Sequence, residues 1–292
     1  MIRGIIVKGI GGFYYVKSSD DIYTCKAKGA FRKNNILPYV GDYVNIRIVS
    51  HEKKEGFIEE ICPRKNFLIR PPVANVDRMI IISAVADPGP DTVFIDKMLA
   101  ICEYNNIEPV LCFNKIDLSH DASVIDEYEC IGYKVIRTSV IQGIGLEAIK
   151  SLLSDGITAV SGFSGVGKSS LLSYAVEKKL ETGVVSDKLA RGKHTTRHVE
   201  LFEVTKGRFF ADTPGFSGLD IDIIRKEELA GCFVDFAAYT SDCRFKDCSH
   251  TSEIGCAVIN AVKDGKIAAS RHENYKELYD KLKLINDWER KK

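Results

Sequence analysis

Three short runs of this chain could do phosphate chemistry, and their order is unusual: Asn114-Lys115-Ile116-Asp117, then Gly162-Phe163-Ser164-Gly165-Val166-Gly167-Lys168-Ser169, then Asp212-Thr213-Pro214-Gly215. The middle run follows the apolar Ile157 to Val160 and precedes Leu171-Leu172, so it predicts a strand, a loop and a helix. Glycines there let backbone N–H groups curl around phosphate oxygens, and a helix beginning near Lys168 turns its positive end toward them. Lys168 would neutralise β- and γ-phosphate oxygens, the Ser169 hydroxyl would ligate Mg²⁺, and Ser170 adjoins the same site. Asn114 to Asp117 ends the predicted strand Ile107 to Phe113, the strand end at which open α/β sheets bind ligands. An ionised Asp117 accepts from both the ring N–H and the exocyclic amine of guanine. Adenine offers an acceptor at the ring position, a mismatch worth on the order of 10⁴-fold where a site is built for those bonds. Thr138-Ser139-Val140, at the end of the next strand, places Ser139 and Val140 in a loop that can bring a backbone N–H to the guanine carbonyl oxygen.

Asp212 follows the apolar Arg208 to Ala211, where it would hold Mg²⁺ through water, while the Gly215 N–H would meet the γ-phosphate. Between the loop and this aspartate lies Arg191-Gly192-Lys193-His194-Thr195-Thr196-Arg197, in which Thr195 or Thr196 could close over the metal, with Thr196 preferred. Phe216 occupies the position at which many GTPases carry a water-orienting glutamine. An aromatic ring cannot orient water, so hydrolysis by the isolated chain should be slow, with His194 or a partner supplying the missing group.

A fourth cluster has different chemistry. Cys243, Cys248, His250 and Cys256 are spaced Cys-x4-Cys-x-His-x5-Cys. Three thiolates and an imidazole make a closed tetrahedral Zn²⁺ site, structural because no position stays open. Cys25, Cys62, Cys102, Cys112, Cys130 and Cys232 are scattered and read as packing residues.

The elements that must position these groups fall into three stretches. Residues 1–66 read as five short strands, Ile5 to Lys8, Phe13 to Lys17, Ile22 to Lys26, Tyr43 to Val49 and Phe57 to Ile61, suggesting a small OB-like barrel. Tyr14, Tyr23, Phe31 and Tyr39 alternate with Lys17, Lys26, Lys28, Arg32 and Lys33, either as a base-stacking, phosphate-tracking surface or with the aromatics in the barrel core. Pro63 and Pro71-Pro72 mark a linker. Residues 67–222 alternate strands with helices, the pattern of a parallel sheet covered on both faces, beginning with a strand at Met79 to Val85 and a helix at Asp91 to Tyr104. Residues 223–292 read as helical from Lys226, broken by the Cys/His cluster, with helices near Ala257 to Lys263 and Ala268 to Trp288.

The net charge of +1 divides along the same lines. Residues 1–66 carry 12 Lys/Arg against 7 Asp/Glu, residues 67–222 carry 16 against 21, and residues 223–292 carry 13 against 12. The basic first stretch suits a polyanion. With 45% hydrophobic and 28% charged residues the composition is that of an ordinary globular protein. The longest apolar stretch, Met79 to Ala86, cannot cross a bilayer, and Met1 to Lys17 lacks a signal-peptide pattern. A cytoplasmic address with reduced thiols is expected.

Together the basic OB-like start, the guanine motif ahead of the phosphate loop, Gly192-Lys193-His194-Thr195-Thr196 and the Cys243/Cys248/His250/Cys256 spacing resemble the bacterial small-ribosomal-subunit biogenesis GTPases of the RsgA (YjeQ/YloQ) family, over essentially the whole chain. Lys193 stands where arginine is common, and Phe163 occupies a variable loop position. The resemblance implies a circularly permuted GTPase domain between the barrel and a helical zinc module. It also implies hydrolysis of Mg²⁺-GTP stimulated by the small ribosomal subunit, a role in late maturation of that subunit, and contacts to ribosomal RNA by barrel and module; a monomer is expected. A second reading uses the same residues: a guanine-nucleotide-dependent RNA-binding module whose occupancy, not turnover, is the signal. In either case the permuted order leads the chain from the Asp212 to Gly215 segment into the zinc module, while the barrel enters on the guanine-reading side. The module would then be tied to the element that senses the γ-phosphate.

Overall fold

The computed structural model describes residues 1–29, 31, 37–153, 156–177, 199–212 and 218–285. Two compact units emerge. One holds Met1–Ile80, Gly145–Gly162 and Gly167–Gly218; the other holds Ile81–Ile144, Phe163–Val166 and Leu219–Lys292.

The first unit is built on a closed barrel. Its strands are Ile2–Ile10, Phe13–Ser18, Asp21–Ala27, Tyr43–Ser50 and Glu55–Ile61. They pair in the order first, second, third, fifth, fourth, and the fourth returns to the first. The third and fifth run parallel, and the other pairs run antiparallel, the OB-like arrangement. Period-two alternation sends Ile6, Val16, Cys25, Val44, Ile46 and Ile58 inward, each with no exposed surface.

The barrel closes at Gly41 and Asp42. Gly41 donates to the Ile6 carbonyl at 2.8 Å, and Asp42, fully buried, is held by Arg64 Nε at 2.7 Å and by the Tyr39 N–H at 2.7 Å. Arg64 lies over the Tyr39 and Phe67 rings, and Tyr23 is core. Lys26 sits over the Phe13 ring, Lys28 pairs with Glu59, and Lys17 pairs with Glu203 at 3.0 Å. Much of the aromatic and basic alternation therefore works inside the fold; Arg32 and Lys33 lie outside the described residues.

The proline-marked stretch is not a bare linker. Phe67–Ile69 and Pro72–Ala74 form a hairpin, and Val73 bridges to Val40 on the barrel. Three-residue strands are too short to show alternation in sequence. A further strand without a clear pattern, Glu200–Thr205, pairs antiparallel with Arg208–Asp212 and reaches the barrel through Lys8 and Glu200, whose side chains meet at 3.1 Å. Arg208–Asp212 in turn lies parallel beside Ile157–Ser161.

In the second unit the strand order is Lys134–Arg137, Glu108–Asn114, Arg78–Ala84, the last of which begins in the first unit. Met79 to Ile82 and Val110 to Phe113 are buried at every position, as strands covered on both faces must be. Helix Thr92–Tyr104 starts where the Asp91 carboxylate accepts from the Phe94 N–H at 2.9 Å. Helix Ser123–Ile131 stops at Gly132, which takes φ +101°.

The helix expected from Lys226 is instead a series of short turns, Leu229–Cys232, Val234–Phe236 and Ala237–Thr240. A bend at Phe233 lets Phe233 and Phe236 both bury against Tyr275, with ring centroids 4.9–5.2 Å apart. Helices Ala257–Lys263 and Ala269–Lys283 follow; Trp288 lies outside the described residues. The barrel is joined to the hairpin ending at Asp212, and the C-terminal helices share a unit with the guanine motif.

Gly41 takes φ +89°, and a Cβ there would lie 2.1 Å from the Ala74 carbonyl oxygen. Gly41→Ala should cost roughly 2–4 kcal/mol in urea unfolding, against about 1 kcal/mol for Gly11→Ala, where positive φ is the only penalty. Equal costs for the two would mean that the seam does not hold the barrel closed.

Candidate nucleotide site and metal centre

Chemistry at the phosphate loop starts from how the loop is bent. Ile157–Ser161 is buried throughout, and helix Lys168–Glu177 begins seven residues after its end. Gly165 and Gly167 take φ +85° and +93°, which side chains disfavour. Leu171 donates to the Gly167 carbonyl at 3.0 Å and, with Leu172, buries the first turn of the helix. Val166 is buried beneath the loop, while Ser164, Gly165, Ser169 and Ser170 face outward. Lys168 Nζ donates to the Gly162 carbonyl at 2.6 Å, and partial burial lowers its pKa.

The guanine motif is tied to this loop directly. Asn114, which is buried, donates from Nδ2 to the Val166 carbonyl at 2.9 Å. The Thr138 hydroxyl donates to Asn114 Oδ1 at 3.0 Å and so fixes which way the carboxamide faces. Lys115, at φ +61°, donates to the Asp87 carbonyl. Asp117 follows in the turn Ile116–Leu118, half-exposed. Ser139 and Ile144 exchange backbone hydrogen bonds of 3.1 and 3.0 Å, closing the loop that carries Val140. Asn114, Lys115, Asp117, Ser139 and Val140 thus sit in one unit with Phe163 to Val166. Asp212 ends the strand parallel to the one that leads into the loop. His194, Thr195, Thr196, Gly215 and Phe216 lie outside the described residues.

The Cys/His cluster has ligand geometry. Cys243, Cys248, His250 and Cys256 bring one donor atom each within 4.8 Å of one another. His250 Nδ1 lies 3.5 Å from Cys243 Sγ and 3.4 Å from Cys256 Sγ, and the two sulfurs are 3.9 Å apart. Metal–sulfur bonds of ~2.3 Å and metal–nitrogen bonds of ~2.0 Å give tetrahedral edges of about 3.4–3.8 Å. The cluster could therefore bind a metal. Backbone N–H groups point at the sulfurs: Ala257 to Cys243 at 3.4 Å and Ile259 to Cys256 at 3.5 Å, so Cys256 also caps helix Ala257–Lys263. Burial drives the Cys256 thiol and, to about 12, the Cys248 thiol above the usual range. A cation reverses that penalty by binding the thiolates.

Neighbours that spacing does not reveal shape this centre. Burial opposes charge on Glu253, yet hydrogen bonds from the Ser249 hydroxyl, the Ser249 N–H and the Ser252 N–H hold its carboxyl at about 2. One carboxylate thereby organises the loop between Cys248 and Cys256. His272 Nε2 donates to the His250 carbonyl at 2.6 Å, and the Tyr275 hydroxyl donates to the Ser249 carbonyl at 2.8 Å. A carboxylate amid Ser249, Thr251 and Ser252 is a weak signal for the first of these; nothing in the sequence pattern marks His272 or Asp87, or the hold of the Thr138 hydroxyl on Asn114.

Comparison with known proteins places this geometry in a family. The RsgA GTPase family matches residues 61–222 and the RsgA N-terminal domain matches residues 3–58. A protein of Ruminiclostridium cellulolyticum named small ribosomal subunit biogenesis GTPase RsgA is 46% identical, over 100% of this chain and 97% of its own. A protein of the same name from Caldanaerobacter subterraneus subsp. tengcongensis is 47% identical over 97% of this chain and 96% of its own. Among solved structures, YloQ, described as a circularly permuted GTPase, superposes with a TM-score of 0.79 at 38% identity, covering 97% of this chain and 95% of its own. YjeQ from Thermotoga maritima gives 0.83 at 35% identity, covering 98% and 99%. With its OB-like barrel, its guanine motif ahead of its phosphate loop and its C-terminal Cys/His cluster, the chain belongs to the RsgA GTPase family and is a GTP hydrolase.

Proposed function

We propose that this protein hydrolyses Mg²⁺-GTP in late maturation of the small ribosomal subunit, that the subunit stimulates the hydrolysis, and that the barrel and the C-terminal module contact its RNA. The observation that carries the nucleotide reading is the bond from Asn114 to the Val166 carbonyl, which spans 52 residues and supports reading the two motifs as one site. The relatives' name supports the ribosomal reading. The proposed division is 1–66 barrel, 67–222 GTPase domain and 223–292 zinc module, acting as a cytoplasmic monomer. Among the described residues no helix is long and apolar enough to cross a membrane.

In this reading Asp117 accepts from guanine, Asn114 and Lys115 brace the base side, and the Ser139–Val140 loop meets the base carbonyl. Gly162 to Ser170 wrap the phosphates with backbone N–H groups, and Lys168 leaves the Gly162 carbonyl to face phosphate oxygens. Ser169, Asp212 and Thr196 or Thr195 would hold Mg²⁺, which when bound neutralises charge on the β- and γ-phosphates. Gly215 would sense the γ-phosphate. His194 is the proposed group that acts on water, in place of the glutamine that Phe216 replaces.

Turnover measured with and without purified small subunits tests the proposal: stimulation of about tenfold or more is expected. Unchanged turnover with GTP-dependent subunit binding would instead establish a nucleotide-gated RNA-binding module.

The metal is proposed to be a single structural Zn²⁺ on Cys243, Cys248, His250 and Cys256. Elemental analysis should find one zinc per chain. Cys256→Ser should lose it and forfeit several of the roughly 10 kcal/mol that structural zinc can supply. Metal-free protein with unchanged unfolding would contradict the assignment.

A further inference from the structure

Phe163, at the second position of the phosphate loop, does not stand alone. Its ring packs on that of Phe94, with centroids 4.3 Å apart. Phe94 is buried in the first turn of helix Thr92–Tyr104, and two residues on the same helix carries Asp96, which has no exposed surface. Asp96 accepts from the Tyr128 hydroxyl at 2.8 Å, from Asn274 Nδ2 at 2.7 Å and from Arg271 Nη1 at 2.5 Å. The other arm of Arg271 reaches Asp235, with Nη2 at 2.7 Å and Nε at 3.3 Å, and the guanidinium lies 4.5 Å over Phe233. Arg271 and Asn274 belong to helix Ala269–Lys283, whose His272 and Tyr275 hold the carbonyls of His250 and Ser249. A guanidinium shared by two carboxylates away from water tolerates little displacement, because each lost bond leaves a buried charge unpaired. A helix between two such contacts moves as a body.

We propose that the stack of Phe163 on Phe94 and the pairing of Asp96 with Arg271 form one mechanical path, through which the C-terminal module sets the geometry of the phosphate loop. Phe94, Asp96, Arg271 and Asp235 are positioning residues for the bound nucleotide, and the loop reports its occupancy back to the helix that braces the Cys/His centre. Reciprocity follows, since coupling between two sites is symmetric in binding free energy. The inference rests on Gly162 to Ser169 being the nucleotide loop and adds to that reading a route out of it.

Release of a fluorescent GDP analogue tests the path in four proteins: unaltered, Asp235→Asn, Phe94→Leu and the double variant. Asp235→Asn should change the release rate about threefold or more, and should change it far less when Phe94→Leu has already removed the stack. Equal effects in both backgrounds, or none in the first, overturn the path. Hydrogen–deuterium exchange on the unaltered protein provides a readout that no substitution can compromise. GDP should slow exchange in helix Ala269–Lys283 as well as in the loop; protection confined to the loop overturns the proposal. A protein that bound no GDP would instead remove the nucleotide reading itself.

Discussion

The hydrogen bond from Asn114 Nδ2 to the Val166 carbonyl is the contact on which the proposed site depends. It joins a motif that comes early in the chain to a loop that comes late, and both groups are buried. A buried carbonyl left unpaired costs about 1–3 kcal/mol, so the loop has reason to stay where Asn114 holds it. Thr138 adds the constraint that makes the contact directional: by occupying Asn114 Oδ1 it leaves the amide nitrogen to face the loop. Chain order is then immaterial to the site. What matters is that strands ending at Asn114 and Thr138 deliver their last residues to the place where the loop turns.

A second constraint lies in Arg271. Its charge is offset by Asp96 and Asp235, and burial opposes ionisation of Asp96 even as the guanidinium favours it. Such a group adds little net stability, because desolvation offsets the attraction, yet removing one partner leaves a buried charge unpaired. Its consequence is organisational. The C-terminal helices, which follow the Asp212 strand in sequence, are anchored on the helix that precedes the guanine motif. The barrel, which begins the chain, is anchored on the hairpin that ends at Asp212. Each terminal module is thus packed on the segment farther from it in the chain.

What the sequence revealed follows from which physical demands leave a local mark. A phosphate loop needs glycines where φ is positive, and Gly165 and Gly167 carry that mark. Metal ligands need fixed spacing, and the Cys/His cluster shows it, with its four donors within 4.8 Å. The barrel strands alternate strongly enough to be placed within a few residues. Polar residues that work at a distance leave no such trace. Arg271, His272 and Asn274 are buried although their residue types favour the surface, and Thr138 gives no hint that it orients the asparagine at the end of the neighbouring strand. The Phe67–Ala74 hairpin and Glu200–Thr205 were hidden because their pairing partners, not their own patterns, make them strands.

In the proposed site the early motif reads the base of the nucleotide whose phosphates the later loop holds. Calorimetric titration of Asp117→Asn with GDP and with xanthosine diphosphate tests it most directly. Xanthine carries a carbonyl where guanine carries the exocyclic amine, so an amide at position 117 should donate to it. Binding of GDP should weaken on the order of 10³-fold or more while the xanthine nucleotide binds more tightly than GDP. Unchanged GDP affinity in the variant would show that Asp117 does not read the base, and the two motifs would not be one site.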